Sequence, residues 1–408
     1  MSRHLNVIIL ARRHLVAGVL LCAVLPALAQ PPVTAPRHPL DAVAGKALFE
    51  RHWIPAPAST AASDGLGPFY SARACANCHP GGGRGSDLQA LTLRSNDVVY
   101  GRQLQPLALA GMAPELKYTL TYLSAATDPG LDVELPWAER LQVQFTELRY
   151  GPIQSPWSAR LAPSLHGIAL LQQVPDSELQ ALADPGDRNG DGISGRLSQL
   201  PVADGTTAVG RFGWKAELPD LLTQTASAFS LDIGLGSPAY PASHADCTSL
   251  QPDCLQQVSG SATGPAATEV DAQLLQLVLA YLESLSAPAA RHDPAGLAVF
   301  ERSGCAACHV PSLRGANGPV PAYTDLLLHD LGQGLDDGFA AESATSSEWR
   351  TAPLWGLGRA GRLLHDGRAA TVEAAILWHG GEAETARATY TGLPEAERRQ
   401  LLDFLKGL

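Results

Sequence analysis

The sequence has little positive charge, and after its N-terminus it has no long apolar run. Its 29 lysines and arginines stand against 40 aspartates and glutamates, which gives a formal net charge of −11. Such a chain is a poor partner for nucleic acid, because phosphates are bound by basic surfaces. Glycine and proline, 39 and 31 of the 408 residues, stay below the level of low-complexity chains. The composition therefore predicts a folded protein of two or three domains that does not bind nucleic acid.

Residues 1–29 have the three parts of a secretory signal. Arg12 and Arg13 precede an apolar run over 15–28, and residues 27–29 read Ala-Leu-Ala, as at a cleavage site. The run is shorter than the ~20 residues of a membrane-spanning helix. We therefore expect export to the periplasm, cleavage of the signal, no membrane span in the mature chain, and a flexible proline-rich leader over 30–40.

Four of the six cysteines that follow the signal form two copies of the pattern C-x-x-C-H, at Cys75–His79 and Cys305–His309. Two thiols at this spacing can each add to a vinyl group of one porphyrin, and the adjacent imidazole can then bind the iron. Neither a zinc site nor a redox-active dithiol needs a histidine after both pairs. The motifs therefore predict two covalently bound haem c groups, with iron ligands His79 and His309 and with the attachment residues Cys75, Cys78, Cys305 and Cys308.

The remaining cysteines, Cys247 and Cys254, are separated by a short polar stretch. In an oxidising compartment this spacing predicts a disulfide that closes a small loop. A catalytic dithiol at the same pair is the alternative.

Similar helical segments surround the two motifs. Gly45–Arg51 precedes the first motif and Gly296–Arg302 precedes the second, and apolar segments over 278–285 and 401–408 close the two halves. This order of an opening helix, a haem motif and a closing helix resembles a cytochrome c domain.

The first half of the mature chain, 41–287, is much longer than the second half, 288–408. Apolar and polar residues alternate over 116–122 and 141–145 in the extra segment, which predicts two strands. We therefore expect a mainly α fold of two cytochrome c-like haem domains, the first with a large insertion that contains a small β-sheet. Residues 286–294 are the expected linker.

His379 is the candidate for a second ligand at the His309 iron. Thr371 can cap a helix that ends near Gly380 and that carries His379 on its apolar face. A histidine on such a face needs a polar partner. On the residues alone, a core histidine bonded to a backbone carbonyl explains the pattern at least as well as a ligand.

Two C-terminal segments, Arg350–Leu357 and Leu364–Arg368, resemble the corresponding region of bacterial di-haem cytochrome c peroxidases, including its His-Asp-Gly signature. This resemblance implies that His379 is the distal ligand of the C-terminal haem. Asp187–Arg196, Arg211–Ala216 and Trp378–Ala383 resemble the di-haem oxidoreductase family that is often labelled thiol oxidoreductases. The likeness extends over nearly all of the mature chain.

The resemblance implies a periplasmic oxidoreductase of peroxidase type. A small periplasmic donor protein, a cytochrome or a cupredoxin, would reduce the His309 haem, and the His79 haem would react with peroxide or a similar small oxidant. By analogy with these relatives Trp214 assists electron transfer, or it is an ordinary packed indole. Glu217, beside it, is a candidate proton donor.

Asp187, Asn189 and Asp191, followed by Gly192, match the opening of an EF-hand loop. The twelfth position is Ser198 instead of the usual bidentate glutamate. Calcium between the haems of the peroxidase relatives makes Ca²⁺ a candidate cofactor here, and a structural turn capped by aspartates is the alternative.

No distal ligand of the His79 iron follows from the sequence. The candidates are His166, Met112, Tyr70 and His52, each of which can equally be a surface or packing residue. Since Met112 is the one methionine left after the signal, at most one haem can have a methionine ligand. Scarce methionine favours bis-histidine centres of low potential. The alternative function is therefore a non-catalytic electron-transfer di-haem cytochrome, for example in metal uptake or respiration.

Overall fold

The structure, a computed structural model, describes residues 38–59, 63–86, 88–124, 138–242, 244–258, 260 and 268–408. The predicted signal over 1–29 and most of the predicted leader lie outside these residues. The end of that leader is helical rather than flexible, because Pro39 stands at the helix start and His38 forms a capping box with Asp41. Within the described ranges, no helix is long and apolar enough to cross a membrane.

Helices and short strands alternate with long irregular segments. The helices are α1 (Pro39–Glu50), α2 (Cys75–Cys78), α3 (Ile168–Leu171), α4 (Asp176–Leu182), α5 (Leu221–Ala228), α6 (Pro252–Leu255), α7 (Ala272–Ser284), α8 (Pro294–Arg302), α9 (Val372–Trp378), α10 (Glu384–Gly392) and α11 (Glu395–Lys406). The strands are β1 (Phe69–Tyr70), β2 (Leu91–Asp97), β3 (Gly101–Leu104), β4 (Leu107–Ala108), β5 (Leu116–Ser124), β6 (Glu139–Leu148), β7 (Trp157–Leu161), β8 (Ser198–Pro201), β9 (Thr207–Gly210), β10 (Leu313–Gly315), β11 (Gly318–Val320), β12 (Leu328–Asp330) and β13 (Glu348–Arg350).

The opening and closing helices of each half pack against each other, α1 on α7 and α8 on α11. A glycine permits each close approach. A Cβ atom added to Gly45 would lie 1.9 Å from the carbonyl oxygen of Leu277, and one added to Gly296 would lie 2.4 Å from Cβ of Phe404. Gly45 and Gly296 occupy the same position of the repeated segment, so the duplication extends from sequence to helix packing.

The predicted pair of strands is confirmed. β5 and β6 form an antiparallel ladder that runs from the pair Leu116 and Leu148 to the pair Ser124 and Glu139. The ladder contacts the second half of the chain, because the Tyr122 hydroxyl donates a hydrogen bond to the Asp366 carbonyl at 2.9 Å. A three-stranded sheet of order β3-β2-β7 lies in the same half, and Leu93 and Leu104 of this sheet share a buried cluster with Cys78 of the first motif.

The two halves share a hydrophobic core. One buried cluster contains Leu48 and Leu279 of the first half together with Leu313 and Trp355 of the second. The described residues between 38 and 408 belong to one compact unit. The expected linker contains no helix or strand from 286 to 293. The domain boundary between 287 and 288 stays a prediction.

Candidate haem sites

Both C-x-x-C-H motifs form a single helical turn with the same backbone hydrogen bond. The first is α2, and the His79 amide donates to the Cys75 carbonyl at 2.9 Å. The second begins with a 3-10 turn, and the His309 amide donates to the Cys305 carbonyl at 3.0 Å. Side chains three positions apart on such a turn are neighbours. Each motif therefore presents its two sulfurs together, beside a histidine.

Cys75, Cys305 and Cys308 form no disulfide within the part of the chain that the structure describes. Burial raises the pKa of Cys75 to about 12, with a smaller contribution from Asp232, and burial raises the pKa of Cys305 to about 11. Catalytic dithiols instead have lowered thiol pKa values. The surroundings of both motifs therefore disfavour the dithiol alternative at these positions.

The histidines of the motifs are partly buried imidazoles whose rings face backbone carbonyls. Nδ1 of His309 lies 2.9 Å from the carbonyl oxygen of Tyr323, and Nδ1 of His79 lies 3.4 Å from that of Gly83. Burial lowers the pKa of each ring to about 4. A neutral ring whose Nδ1–H faces a carbonyl presents Nε2 to a metal. The donors of both motifs therefore fit covalent haem with an axial imidazole.

His379 lies at the end of α9, where the sequence predicts it. The Thr371 side chain accepts a hydrogen bond from the Ala374 amide at 3.0 Å, and Nδ1 of His379 lies 2.7 Å from the Ala375 carbonyl oxygen. After burial, which has the larger effect, an electrostatic interaction with His379 also lowers the pKa of His309. The fold therefore places His379 on the side of the second motif, near enough for its charge to affect His309.

His79 lines a cavity of about 770 Å³. Trp214 and Glu217 line the same cavity, so the fold brings both predicted catalytic candidates to the His79 side. The volume lies within the range of cofactor pockets.

One of the four distal candidates, His166, also lines this cavity. His52 is exposed, and Tyr70 is buried with its hydroxyl bonded to the Ala108 carbonyl. Met112 does not contribute to the cavity wall. Among these four described residues, His166 is therefore the one that lines the same cavity as His79.

The cavity wall carries more positive than negative side chains. Its arginines are Arg84, Arg94, Arg102, Arg160, Arg350 and Arg359, and its acids are Glu217, Asp232 and Glu342. Nε of Arg94 is buried without a hydrogen-bond partner among the described residues. A buried guanidinium atom of this kind favours an anionic ligand. The carboxylates of a haem supply such charge, so the cavity also fits the cofactor.

Trp214 connects this cavity to the second half of the chain. Its indole Nε1 donates to the Leu161 carbonyl at 2.9 Å, and its own carbonyl accepts from the Arg350 amide at 3.0 Å. The ring packs against the core cluster of the C-terminal half. The indole therefore contacts both the cavity and the structure around the second motif.

Cys247 and Cys254 form a disulfide with Cα atoms 6.2 Å apart. Next to it, Asp246 accepts hydrogen bonds from the amides of Arg102 and Gln103, at 2.6 and 3.0 Å. Both of these residues line the cavity. The disulfide loop thus supports the cavity wall.

The predicted calcium loop is stabilised by its own backbone. Asp187, Asn189 and Asp191 each accept a hydrogen bond from an amide of the loop, and Gly192 has φ +81°. Ser198 is buried and donates to a carbonyl outside the loop. The loop therefore offers a cation three side chains with oxygen ligands, and it has the glycine turn. Its twelfth position offers no ligand.

A buried ionic cluster beside the second motif has no sequence signature. His329 places Nε2 2.8 Å from Asp325 and Nδ1 2.7 Å from Glu382, and Nδ1 also lies 3.7 Å from Sγ of Cys308. Burial alone would lower the pKa of His329, but Asp325, Cys308 and Glu382 raise it to about 12. His329 lies in β12, Asp325 lies in the irregular segment before it, and Glu382 lies in a 3-10 turn after α9. No single sequence pattern therefore contains all three residues.

His365 of the His-Asp-Gly segment is buried and stacks on Trp349, with ring centroids 3.9 Å apart. Burial, followed by the charges of Arg368, Arg160, Lys215 and Arg84, lowers its pKa well below the usual value. The ring is therefore neutral in the folded protein.

We expect the free energy of unfolding to fall as the pH is lowered below about 6.5, because the unfolded chain then binds a proton at His365 that the folded chain does not bind. One proton contributes up to about 1.4 kcal/mol per pH unit. His365→Gln should reduce this slope in urea unfolding between pH 7 and pH 5, and the same change at the exposed His292 should not. Equal slopes for H365Q and the wild type would refute the assignment.

No curated protein matches the sequence. Part of hydrazine synthase from Kuenenia stuttgartiensis is similar at 18% identity and a TM-score of 0.26; the match covers 35% of this chain and the chain spans 57% of that one. A variant of the diheme peroxidase BthA from Burkholderia thailandensis is similar at 13% identity and a TM-score of 0.38, with 91% and 86% covered. A MauG-like protein associated with microbial copper homeostasis is similar at 14% identity and a TM-score of 0.30, with 59% and 86% covered.

Residues 154–408 match the family described as "Di-haem oxidoreductase, putative peroxidase". The matched region is more than half of the chain. It contains the second haem motif, Trp214, Glu217 and His379, and the first motif precedes it. The chain therefore belongs to the di-haem oxidoreductase family.

Proposed function

We propose that this protein is a periplasmic di-haem c-type cytochrome that acts as a peroxidase-type oxidoreductase. Each C-x-x-C-H motif attaches one haem, with His79 and His309 as proximal ligands. Family membership supports haem as the cofactor. Haem held there would supply one-electron redox chemistry and reaction with peroxide.

The observation that carries the proposal is the difference between the two sites. The partly buried His379 lies near enough to His309 to lower its pKa electrostatically, whereas His79 lines a cavity of about 770 Å³. Two protein ligands suit electron transfer, and a ligand facing a cavity suits the binding of a small molecule. The His309 side is then the entry for electrons, and the His79 side is the place of reaction.

Side chains of the cavity would position and protonate the oxidant. Trp214 contacts both sides and would assist electron transfer between them. Glu217 is one candidate acid, and Asp232 is another whose pKa is raised by burial. A carboxyl group with a raised pKa retains a proton that it can transfer to a leaving oxygen.

The electron donor in this proposal is a small periplasmic protein, a cytochrome or a cupredoxin, and the acceptor is peroxide or a similar small oxidant. The net charge of −11 favours a basic donor. Ca²⁺ is proposed for the loop at Asp187, Asn189 and Asp191, whose three side-chain oxygens suit a hard cation.

We expect the holoprotein to contain one high-spin and one low-spin haem, with peroxide changing the high-spin signal first. His379→Ala should convert the low-spin haem to high spin, because it removes the second imidazole, and His166→Ala should leave that haem low spin. Paramagnetic resonance and optical titration with peroxide measure both effects. Two six-coordinate haems in every redox state, with no reaction toward peroxide, would refute the proposed peroxidase activity.

The second candidate function is a non-catalytic electron-transfer cytochrome, for example in metal uptake or respiration. His166 in the cavity wall favours it, since an imidazole there could complete a bis-histidine centre at the first haem. In that case His166→Ala, rather than the wild type, would show the high-spin signal.

A further inference from the structure

We propose that Asp325, His329 and Glu382 set the reduction potential of the second haem by holding a fixed group of charges beside its attachment sulfur. The inference rests on the proposed function, specifically on haem attachment at Cys305 and Cys308.

The geometry fixes the charge of the cluster. Nε2 of His329 lies 2.8 Å from a carboxylate oxygen of Asp325, and Nδ1 lies 2.7 Å from one of Glu382. With both carboxylates ionised, each oxygen accepts a hydrogen bond from the ring, so both ring nitrogens carry protons and the ring is an imidazolium. One imidazolium and two carboxylates give the cluster a net charge of −1.

The cluster is buried next to the haem attachment point. The side chains of Asp325 and His329 are each 3% exposed and that of Glu382 is 11% exposed. Nδ1 of His329 lies 3.7 Å from Sγ of Cys308. Charges buried in this way are screened much less than surface charges. Because ferric haem carries one more positive charge than ferrous haem, nearby negative charge lowers the potential and nearby positive charge raises it.

Neighbouring segments hold the cluster in place. Glu382 accepts hydrogen bonds from the amide and the hydroxyl of Ser194, at 3.0 and 2.9 Å, and Asp325 accepts one from the Leu327 amide at 2.9 Å. A Cβ atom added to Gly195 would lie 2.5 Å from Cε1 of His329. Uncharged groups of Ser194, Gly195 and Leu327 therefore hold the imidazolium and its two carboxylates in place beside Cys308.

The decisive test is the sign of the potential shift in the holoprotein. Asp325→Asn and Glu382→Gln each remove a negative charge and should raise the potential of the low-spin haem, whereas His329→Gln should lower it. We expect about a tenfold change in the ferric-to-ferrous ratio, equivalent to about 59 mV for one electron. Spectroelectrochemical titration measures it. The control Glu384→Gln removes an exposed carboxylate close by in sequence and should change the ratio less than twofold.

A second test leaves every charge in place. Gly195→Ala should displace the His329 ring within the cluster and therefore shift the potential without removing a charge. Gly186→Ala is the matched control, because the nearest atom to its added Cβ is Cγ of Arg188 at 3.9 Å. An unshifted potential in G195A would contradict the confinement of the ring.

If H329Q does not fold, the double variant H329Q/E382Q keeps the net charge at −1 and should have the wild-type potential within about twofold in the ratio. Shifts of equal sign in D325N and H329Q, a displaced potential in the double variant, or no shift in any charge variant would overturn the inference while both haems remain attached. A haem content of one per chain would instead contradict the proposed function.

Discussion

Replacing Cys305 and Cys308 by alanine is expected to remove one of two covalently bound haems, and replacing Cys75 and Cys78 to remove the other. A thioether bond needs the thiol, so a chain without either sulfur of a motif cannot retain that haem covalently. The intact mass should fall by one haem in each double variant and by two in the quadruple variant. Mass spectrometry of protein made in a host that attaches haem c gives the count.

The disulfide provides the matched control for this experiment. Cys247→Ser and Cys254→Ser together also remove two cysteines, but they should leave both haems attached because neither residue belongs to a haem motif. Loss of a haem in this control, or retention of two haems without Cys305 and Cys308, would contradict the assignment. Peroxide should still change the spectrum of the variant that lacks the second haem, since the cavity belongs to the His79 side.

Gly45→Ala is expected to lower the free energy of unfolding by about 3 kcal/mol or more, because the new methyl group would overlap the Leu277 backbone, which cannot move aside as a side chain can. The Cβ position lies 1.9 Å from that carbonyl oxygen. Thermal and denaturant unfolding of the holoprotein measure the loss. Gly296→Ala, at the equivalent crossing of α8 and α11, should also destabilise the protein.

Gly392→Ala is the control for these glycine variants. It lies in α10, and an added Cβ there meets no atom within 4 Å. Alanine at this position should be neutral or slightly stabilising, since it restricts the unfolded chain. If Gly45→Ala and Gly392→Ala had equal stability, close packing of α1 on α7 would not explain the glycine.

Features fixed by neighbouring residues could be predicted from the sequence. The two motif turns, the helices around them, the Thr371 cap of α9 and the β5–β6 ladder all follow from spacing and alternation over a few positions. The paired helices could be predicted because the repeated segments are similar. The helical start at Pro39 was not predicted. The proline-rich composition of residues 30–40 favours a flexible leader, although His38 and Asp41 can form a capping box.

Features assembled from distant segments could not be predicted. The arginines of the cavity come from six separate places in the sequence, and polar residues there look like ordinary surface residues until the fold encloses them. Asp325 precedes strand β12 and His329 lies in it, so the two residues are not on one face of a helix. Glu382 follows helix α9, far away in the sequence. Such clusters exist only in three dimensions.

The wall of the first cavity includes Arg350, Trp355 and Leu363, which follow the second haem motif in the chain. The first half of the chain therefore does not enclose the cavity beside His79 by itself, because residues of the second half complete the wall. A fragment that ends at residue 287 would lack this part of the cavity wall. We expect co-expression with a fragment of residues 288–408 to restore it.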